Sequence, residues 1–237
     1  MRLAGRLALV TGANRGIGLA IAKAYAAEGA RCVLAGRNVP ALEKVAKEIG
    51  AGASVLEMDL AQPDSVRKAT RAFAAANPKV DILVANAAVL GARKPLREYP
   101  LDVWMQSFQT NVHANLLLLQ ELDAPLRKSD AGRVILVSSG AGRFPKASGG
   151  SYAVTKAALD TLAQVYSQEV AGTAIKVNVV NPGPTRTTMR AAVAPQEDPM
   201  TLKTPEDIAP LFVELASPEC TRSGEWIAAD TWLKDRK

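Results

Sequence analysis

The chain has 237 residues and a formal net charge of +6; 48% of its residues are apolar and 5% are aromatic. No apolar stretch approaches the roughly 20 residues that a membrane helix needs, so we expect no membrane partner. We expect no nucleic-acid partner either, because the lysines and arginines are dispersed and form no basic run interleaved with aromatic residues. A chain of this length and apolar content fits a single core.

The chain has only two cysteines, Cys32 in an apolar strand pattern and Cys220 in a late loop, which are too few for a disulfide framework. We therefore expect a reducing, cytoplasmic location. The low aromatic share indicates a core of Ala, Val, Leu and Ile, which is typical of a parallel sheet covered by helices. No metal site is predicted.

Short apolar runs alternate along the chain with segments of helical periodicity. Strands are predicted, in chain order, at residues 7–10, 31–35, 54–58, 80–85, 133–137, 175–180 and 226–228. Helices are predicted at residues 17–28, 41–49, 63–76, 101–126, 151–171 and 205–216. This alternation implies right-handed βαβ units and predicts an α/β fold, a single-domain doubly wound parallel sheet with helices on both faces. Residues 185–204 are predicted to be an irregular, mobile insertion.

A glycine-rich turn joins the first predicted strand to the first helix, with Gly12, Gly16 and Gly18 in a Gly-x-x-x-Gly-x-Gly spacing. A helix N-terminus presents free backbone N–H groups to an anion, and residues without a Cβ let a pyrophosphate approach closely. The turn therefore predicts a dinucleotide site. A plain tight turn is the structural alternative.

Polar residues follow the predicted strands at their carboxyl ends, where ligands bind in open α/β sheets. They are Asp59, Asn86, Ser139 and the loop 181–187. On the helix after Ser139, Tyr152 and Lys156 are spaced i and i+4 and share one helix face. An ammonium beside a phenol lowers the phenol pKa, which makes Tyr152 a candidate general acid/base, although such pairs also occur on ordinary solvated helices.

Taken in order, the motifs of the chain resemble those of the short-chain dehydrogenase/reductase family over almost the full length. They are Thr-Gly-x-x-x-Gly-x-Gly at 11–18, Asp59, Asn86-Ala87-Ala88, Asn111, Ser139, Tyr-x-x-x-Lys at 152–156 and Pro-Gly at 182–183. The resemblance implies one Rossmann-like NAD(P)-binding domain over residues 1–237, with a short substrate loop at 185–204.

The resemblance also assigns a catalytic set. It implies that Tyr152 exchanges a proton with the substrate oxygen, that Ser139 hydrogen-bonds that oxygen, and that Asn111 fixes a water in the proton path. Lys156 is implied to lower the tyrosine pKa and to hold the nicotinamide ribose. The physiological substrate is set by the loops 90–100, 140–148 and 186–199, and the sequence does not identify it.

A second set of residues is implied to bind the cofactor. In addition to Tyr152 and Lys156, the set comprises Gly12, Asn14, Arg15, Gly16, Ile17, Gly18, Arg37, Asp59, Leu60, Asn86, Pro182, Gly183, Thr185 and Thr187. Asp59 is assigned to the adenine, Asn86 to the adenosine-side ribose region, and Thr187 to the nicotinamide carboxamide.

The end of the second strand predicts the cofactor, because it lies beside the adenosine ribose. NAD enzymes place a carboxylate there, whereas this chain has Gly36 followed by Arg37, with Arg15 in the glycine turn. Two guanidiniums can bind a 2′-phosphate, so NADP(H) is predicted to be preferred, with NAD(H) as the alternative.

The chain departs from the family pattern at two places. The usual Asn-Asn-Ala-Gly element reads Ala85-Asn86-Ala87-Ala88, and the usual glycine pair after the last strand is missing from the tail around Trp226 and Trp232.

We predict reversible NADP(H)-dependent hydride transfer between a small-molecule carbonyl and the corresponding secondary alcohol. The alternatives are a non-catalytic dinucleotide-sensing regulator on the same fold and a sugar-nucleotide epimerase or dehydratase. The intact Ser-Tyr-Lys set favours the enzyme. The apolar and small residues of helices 101–126 and 151–171 exceed what one buried face requires, which predicts a homodimer or homotetramer.

Overall fold

A computed structural model describes residues 1–236 of the chain and contains a seven-stranded parallel sheet in the order β3-β2-β1-β4-β5-β6-β7. The strands are β1 Leu7–Thr11, β2 Arg31–Gly36, β3 Ala53–Glu57, β4 Ile82–Ala85, β5 Arg133–Val137, β6 Lys176–Asn181 and β7 Glu225–Ala228. All six neighbouring pairs are parallel. The predicted doubly wound sheet is confirmed.

Helices connect the strands. They are α1 Gly16–Ala27, α2 Val39–Ile49, α3 Pro63–Ala76, α4 Leu101–Phe108, α5 Ala114–Arg127, α6 Gly140–Arg143, α7 Gly150–Glu169, α8 Thr188–Val193, α9 Pro205–Ala216 and α10 Ala229–Lys234. None of the helices within residues 1–236 combines the length and apolar character that crossing a membrane requires.

Local sequence signals explain where several helices begin and end. The Asn38 side chain accepts a hydrogen bond from Ala41 N at the start of α2, and Gly50, with φ of 90°, ends that helix. At the start of α9, Thr204 and Asp207 form a reciprocal capping box. These signals set the lengths of the crossover helices and so the ends of the strands between them.

The two faces of the sheet are covered by different helices. In β1, Leu7 and Leu9 point into a core shared with α3, α5 and α7, whereas Ala8 and Val10 point into a second core shared with α1, α2 and α9. Alternate residues of a strand face opposite sides of the sheet, so one apolar run serves both cores. The predicted helices on both faces are confirmed.

The strand order reverses between β1 and β4. The chain continues from β1 through β2 to β3 on one side, and then crosses to β4 and proceeds to β7 on the other. The loops after β1 and β4 therefore diverge and leave a crevice at the carboxyl ends of the strands, which is where ligands bind in such sheets. This topology places the glycine turn and the segment after Ala85 at the same crevice.

Three parts of the predicted secondary structure are corrected. The helix predicted at 101–126 is interrupted by a five-residue π segment at Gln109–His113 between α4 and α5. The insertion 185–204, predicted to be irregular, contains α8 and a 3-10 turn at Pro199–Thr201, because Thr187 and Asp198 cap these short segments. The short helices α6 and α10 carry no sequence pattern long enough to have been predicted.

An ionic cluster fixes the amino-terminal edge of the sheet. The buried Asp81 carboxylate accepts hydrogen bonds from Arg6, from Leu7 N and from Ser129. Burial by itself would raise the Asp81 pKa, but these hydrogen bonds and Lys79 hold it below its usual value. The cluster joins the starts of β1, β4 and β5 at the end of the sheet opposite the crevice.

Candidate active site

One cavity of about 1090 Å³ occupies the crevice at the carboxyl ends of the strands. Within the described chain, every predicted site residue lines it except Gly18 and Asn111. Ligand pockets usually span roughly 300–1,000 Å³, so this cavity is large enough for a dinucleotide and a small second molecule.

The glycine turn after β1 has the backbone geometry that only glycine adopts easily. Gly12 and Gly16 have φ of 67° and 56°. A Cβ on Gly18 would lie 2.4 Å from the Gly12 carbonyl oxygen. Gly18 does not line the cavity, but the absence of a side chain there lets α1 pack against the turn. The first N–H groups of α1 consequently stand at the cavity wall, where they can bind a pyrophosphate.

The segment after β4 holds the glycine turn in place. The Asn86 side chain donates to Thr11 O at 2.9 Å and to Gly12 O at 3.4 Å, while Thr11 Oγ1 accepts from Asn86 N and Ala87 N. The Asn86 amide group is therefore engaged with the turn itself, although the residue also lines the cavity. The element keeps its turn despite alanine at position 88.

At the end of β2, the cavity is lined by Gly36, Arg37 and Arg15. Neither arginine forms an ion pair or a side-chain hydrogen bond within residues 1–236, and both are exposed. A Cβ added to Gly36 would meet only Leu42 Cδ1, at 3.5 Å, so the backbone has room for a side chain there. This end of the cavity therefore presents two positive charges that no ion pair within residues 1–236 neutralises.

Asp59 and Leu60 line the same end from the loop after β3. Asp59 Oδ1 accepts a hydrogen bond from Ala61 N, and Asp59 N donates to Ser65 Oγ at the start of α3. These bonds fix the loop, so that its backbone and the Leu60 side chain form a constant part of the wall.

Ser139 and Tyr152 both line the cavity and lie close together. Ser139 follows β5 and caps α6, with its Oγ accepting from Ala141 N at 3.2 Å. Tyr152 lies in the first turn of α7. Gly142 allows this approach, because a Cβ there would lie 2.7 Å from Ala157 N on α7. The α6 segment can therefore rest directly on α7, which brings the serine beside the tyrosine.

Lys156 lies one helical turn after Tyr152 and is only 2% exposed. Its Nζ donates to Val137 O at 2.7 Å and lies 5.7 Å from the centroid of the Tyr152 ring. Burial lowers the Lys156 pKa from 10.5 to about 8, while the nearby Asp160 carboxylate raises it. At pH 7 the side chain is accordingly still mostly an ammonium.

The pKa of Tyr152 differs from the sequence-based expectation. Burial raises the pKa of Tyr152 above 10, and the hydrogen bond with Ser139 only partly opposes that rise. The net direction is therefore upward and not the lowering expected from the sequence, because desolvation of the phenolate is the largest influence. The phenol is thus a protonated group at neutral pH and can donate a proton.

Asn111 lies in the π segment and behind the cavity lining. Its Oδ1 accepts from Val89 N, and its Nδ2 donates to Val89 O and to Thr155 Oγ1, all between 2.9 and 3.0 Å. Its backbone carbonyl accepts from Asn115 Nδ2. The side chain thereby joins the loop after β4 to α7 one residue before Lys156, and π turns often occur at functional sites.

The loop after β6 forms the wall opposite the glycine turn. Asn181 Oδ1 accepts from both Gly140 N and Gly183 N, which couples this loop to the serine segment. Thr187 caps α8, and its Cγ2 methyl lies 3.4 Å from the position of a Cβ on Gly16. Pro182 and Thr185 complete this wall.

Several lining residues were not singled out in the sequence. Arg93, Gln106, Lys146 and Val193 line the cavity beyond Tyr152, and they come from the regions expected to set the substrate or from α4. Asp230 of α10 lines it near Gly183 and pairs with Lys203. Loop cations have no periodicity, so no sequence signal could have placed them at the cavity.

The chain is similar to known oxidoreductases in sequence. A family model described as short chain dehydrogenase matches residues 6–198. The uncharacterized oxidoreductase YciK of Escherichia coli strain K12 is 38% identical over 223 residues, which are 92% of this chain and 88% of YciK. The 3-oxoacyl-acyl-carrier-protein reductase FabG of Salmonella typhimurium is 32% identical over 194 residues, 82% of this chain and 79% of FabG.

Solved structures share the fold closely. A short chain dehydrogenase from Shigella flexneri 2a complexed with NADP has a TM-score of 0.91 and 37% identity, covering 97% of this chain and 99% of that one. One from Escherichia coli CFT073 complexed with NADPH has a TM-score of 0.91 and 38% identity, covering 96% and 98%. From its sheet, its assembled site and these likenesses, the chain belongs to the short-chain dehydrogenase/reductase family of oxidoreductases.

Proposed function

We propose that this protein catalyses reversible NADP(H)-dependent hydride transfer between a carbonyl compound and the corresponding secondary alcohol. The observation that carries the proposal is the meeting of Ser139, Tyr152 and Lys156 in the same cavity as the glycine turn and the unpaired Arg15 and Arg37. The NADP and NADPH complexes of similar dehydrogenases support the cofactor.

The residues present fit the cofactor. Gly12 and Gly16 line the cavity without a Cβ, the first N–H groups of α1 suit the pyrophosphate, and the two arginines suit a 2′-phosphate. Lys156 and Thr187 are assigned to the nicotinamide end.

When bound, NADPH supplies the hydride that reduces the carbonyl carbon. Tyr152 then donates its phenolic proton to the carbonyl oxygen, while the Ser139 hydroxyl hydrogen-bonds that oxygen. The raised pKa of Tyr152 keeps the proton available at neutral pH. The Lys156 ammonium, 5.7 Å from the ring centroid, stabilises the phenolate that remains. Oxidation of the alcohol uses the same groups in reverse.

A non-catalytic dinucleotide-sensing regulator is the alternative, and nothing at this site favours it. A regulator needs the dinucleotide cavity but not an acid beside a second ligand space. Here Tyr152 lines the cavity beside Ser139, an arrangement that supports turnover. The loop 185–204 is proposed to enclose the substrate.

The replacement Tyr152→Phe tests the proposal. We expect turnover of NADPH with a carbonyl substrate to fall by about 10² or more, with little change in NADPH affinity, since the phenol acts on the substrate oxygen. Tyr166→Phe is the matched control, because Tyr166 lies on the same helix and bonds Asp123 outside the cavity. Turnover by Tyr152→Phe within a few-fold of the unmodified protein would refute the assignment.

A further inference from the structure

The part of the cavity beyond Tyr152 has an uneven charge distribution. Arg93 and Lys146 line it together with Phe144, whose side chain is 71% exposed at the mouth. Among the described residues that line the whole cavity, the carboxylates are Asp59, at the adenosine end, and Asp230, which is paired with Lys203. No acidic side chain of the lining therefore offsets the two cations at the substrate end.

Arg93 is held in place by a chain of hydroxyl groups. Ala92 N donates to the Tyr99 hydroxyl at 2.8 Å, and that hydroxyl lies 2.7 Å from Ser151 Oγ. Ser151 donates in turn to Ser107 Oγ, again at 2.7 Å. Because each hydroxyl can donate to the next, the bonds polarise one another along the chain. The backbone immediately before Arg93 is thereby fixed to α4 and α7.

Close packing against α7 fixes the position of the loop that precedes Arg93. Gly91 has φ of 67°, and a Cβ there would lie 2.4 Å from Ser151 Oγ. Gly150 has φ of 55°, and its Cβ would meet the Tyr99 ring at 2.4 Å. Both glycines let the loop settle on the start of α7, next to Tyr152. The backbone that carries Arg93 is therefore positioned by the same helix that carries the proton donor.

The charges at this end remain available to a ligand. The Arg93 guanidinium donates one hydrogen bond to Val193 O, a neutral partner, and keeps its other N–H groups. Lys146 forms no side-chain hydrogen bond or ion pair within residues 1–236. A third cation, Arg190, differs because Glu197 neutralises it through two hydrogen bonds. The net positive charge at the mouth thus comes from Arg93 and Lys146.

We propose that Arg93 and Lys146 form a binding subsite for an anionic group of the substrate, a carboxylate or a phosphate carried at the far end of an apolar or aromatic body. The inference rests on the proposed reductase function and names its substrate class. Phe144 offers an apolar surface in the same cavity, and a guanidinium binds planar or tetrahedral oxyanions through paired hydrogen bonds.

Matched aryl ketones test the subsite, because their reduction gives secondary alcohols. 4-Acetylbenzoate is compared with its neutral methyl ester, and 4-acetylphenyl phosphate with 4-methoxyacetophenone, each reduced with NADPH. The carboxylate and phosphate arms distinguish the two kinds of anion. We expect kcat/KM to be at least tenfold higher for the anionic member of one or both pairs, with the difference falling as salt rises.

The double variant Arg93→Gln/Lys146→Gln should lower kcat/KM for the anionic ketones by tenfold or more and leave kcat/KM for the neutral ketones within twofold. Lys94→Gln is the control, because Lys94 is the exposed neighbour of Arg93 and does not line the cavity. An equal loss of kcat/KM with anionic and neutral ketones, or an equal loss in the control variant, would overturn the proposal.

A binding measurement tests the subsite independently of the proposed reductase function. If none of the ketones is reduced, the proposed reaction fails for them, and calorimetric titration of 4-(1-hydroxyethyl)benzoate into the protein with bound NADP⁺ decides about the subsite. Binding that weakens tenfold in the double variant but not in Lys94→Gln supports it. Absence of binding, or equal binding by the three proteins, overturns it.

Discussion

The end of β2 allows the cofactor preference to be reversed. In the double variant Gly36→Asp/Arg37→Ala, the new carboxylate occupies space that now holds no side chain, since Leu42 Cδ1 is the nearest atom at 3.5 Å. The carboxylate can accept hydrogen bonds from both ribose hydroxyls of NADH and repels a 2′-phosphate. The second change removes one of the two free cations.

The size of the effect follows from the contacts that are lost. A hydrogen bond to a charged group contributes about 1.5–3 kcal/mol, and about 1.4 kcal/mol corresponds to a factor of ten. Arg37→Ala alone should therefore lower kcat/KM for NADPH by about tenfold to a hundredfold, and that for NADH hardly at all. Adding Gly36→Asp should make NADH the better cofactor. Initial rates with each cofactor at saturating carbonyl substrate measure the ratio.

Arg31→Ala is the control, because it removes an exposed arginine from the opposite end of the same strand. It should leave both kcat/KM values unchanged. A preference of the unmodified protein for NADH, or equal losses with both cofactors in Arg37→Ala, would refute the assignment of Arg37 to the 2′-phosphate.

Three further outcomes are expected. The rate of carbonyl reduction should fall as pH rises through about 8, the pKa of Lys156, because the ammonium that stabilises the phenolate is lost; Lys156→Arg should move the fall to higher pH in a pH-rate profile. Asp81→Asn should lower the free energy of unfolding by about 3 kcal/mol at pH 7, measured by urea denaturation, since it leaves buried partners unpaired. Light scattering should give a dimer or tetramer, because Leu116, Val154 and Val165 are 40–49% exposed on α5 and α7.

Each of these three predictions can be contradicted by a specific measurement. The Asp81 pKa is lowered in the folded protein, so its contribution to stability is present above the unfolded value near 3.9 and is lost as pH falls further; Asp81→Asn should remove that acid dependence. An unchanged acid dependence would contradict the role of the cluster. A reduction rate that stays constant to pH 10 would contradict the role of Lys156, and a mass near 25.0 kDa at all concentrations would contradict assembly.

The sheet could be predicted because its strands are short apolar runs and its helices are amphipathic or capped. Runs such as residues 7–10 are apolar at every position, which two-sided burial requires, and Gly50 ends a helix by its backbone freedom. The π segment at Gln109–His113 could not be predicted, because it differs from an α-helix by one hydrogen-bond step, which leaves no signature in residue type or spacing. The four-residue helix α6 is too short for any periodicity.

The candidate site, too, could be predicted from the sequence only in part. Motif spacing predicted which residues line the cavity, because a strand end or helix turn fixes their positions. It did not predict the Tyr152 pKa, since desolvation depends on neighbours from other elements. Nor did it show that the Asn86 amide binds the glycine turn, which depends on how the loops after β1 and β4 approach each other. Arg93 and Lys146 come from loops, where position follows from packing alone.

Deletion of one residue from the π segment would affect helix stability and catalytic activity in opposite directions. A π turn holds one residue more than an α turn, so deletion of one residue between 109 and 113 can convert the whole run from α4 to α5 into regular helix. The buried leucines of α5, such as Leu118 and Leu122, would keep their core contacts. Asn111, however, would lose its alignment with Val89 and Thr155. A shortened chain would then be a better helix and a poorer catalyst.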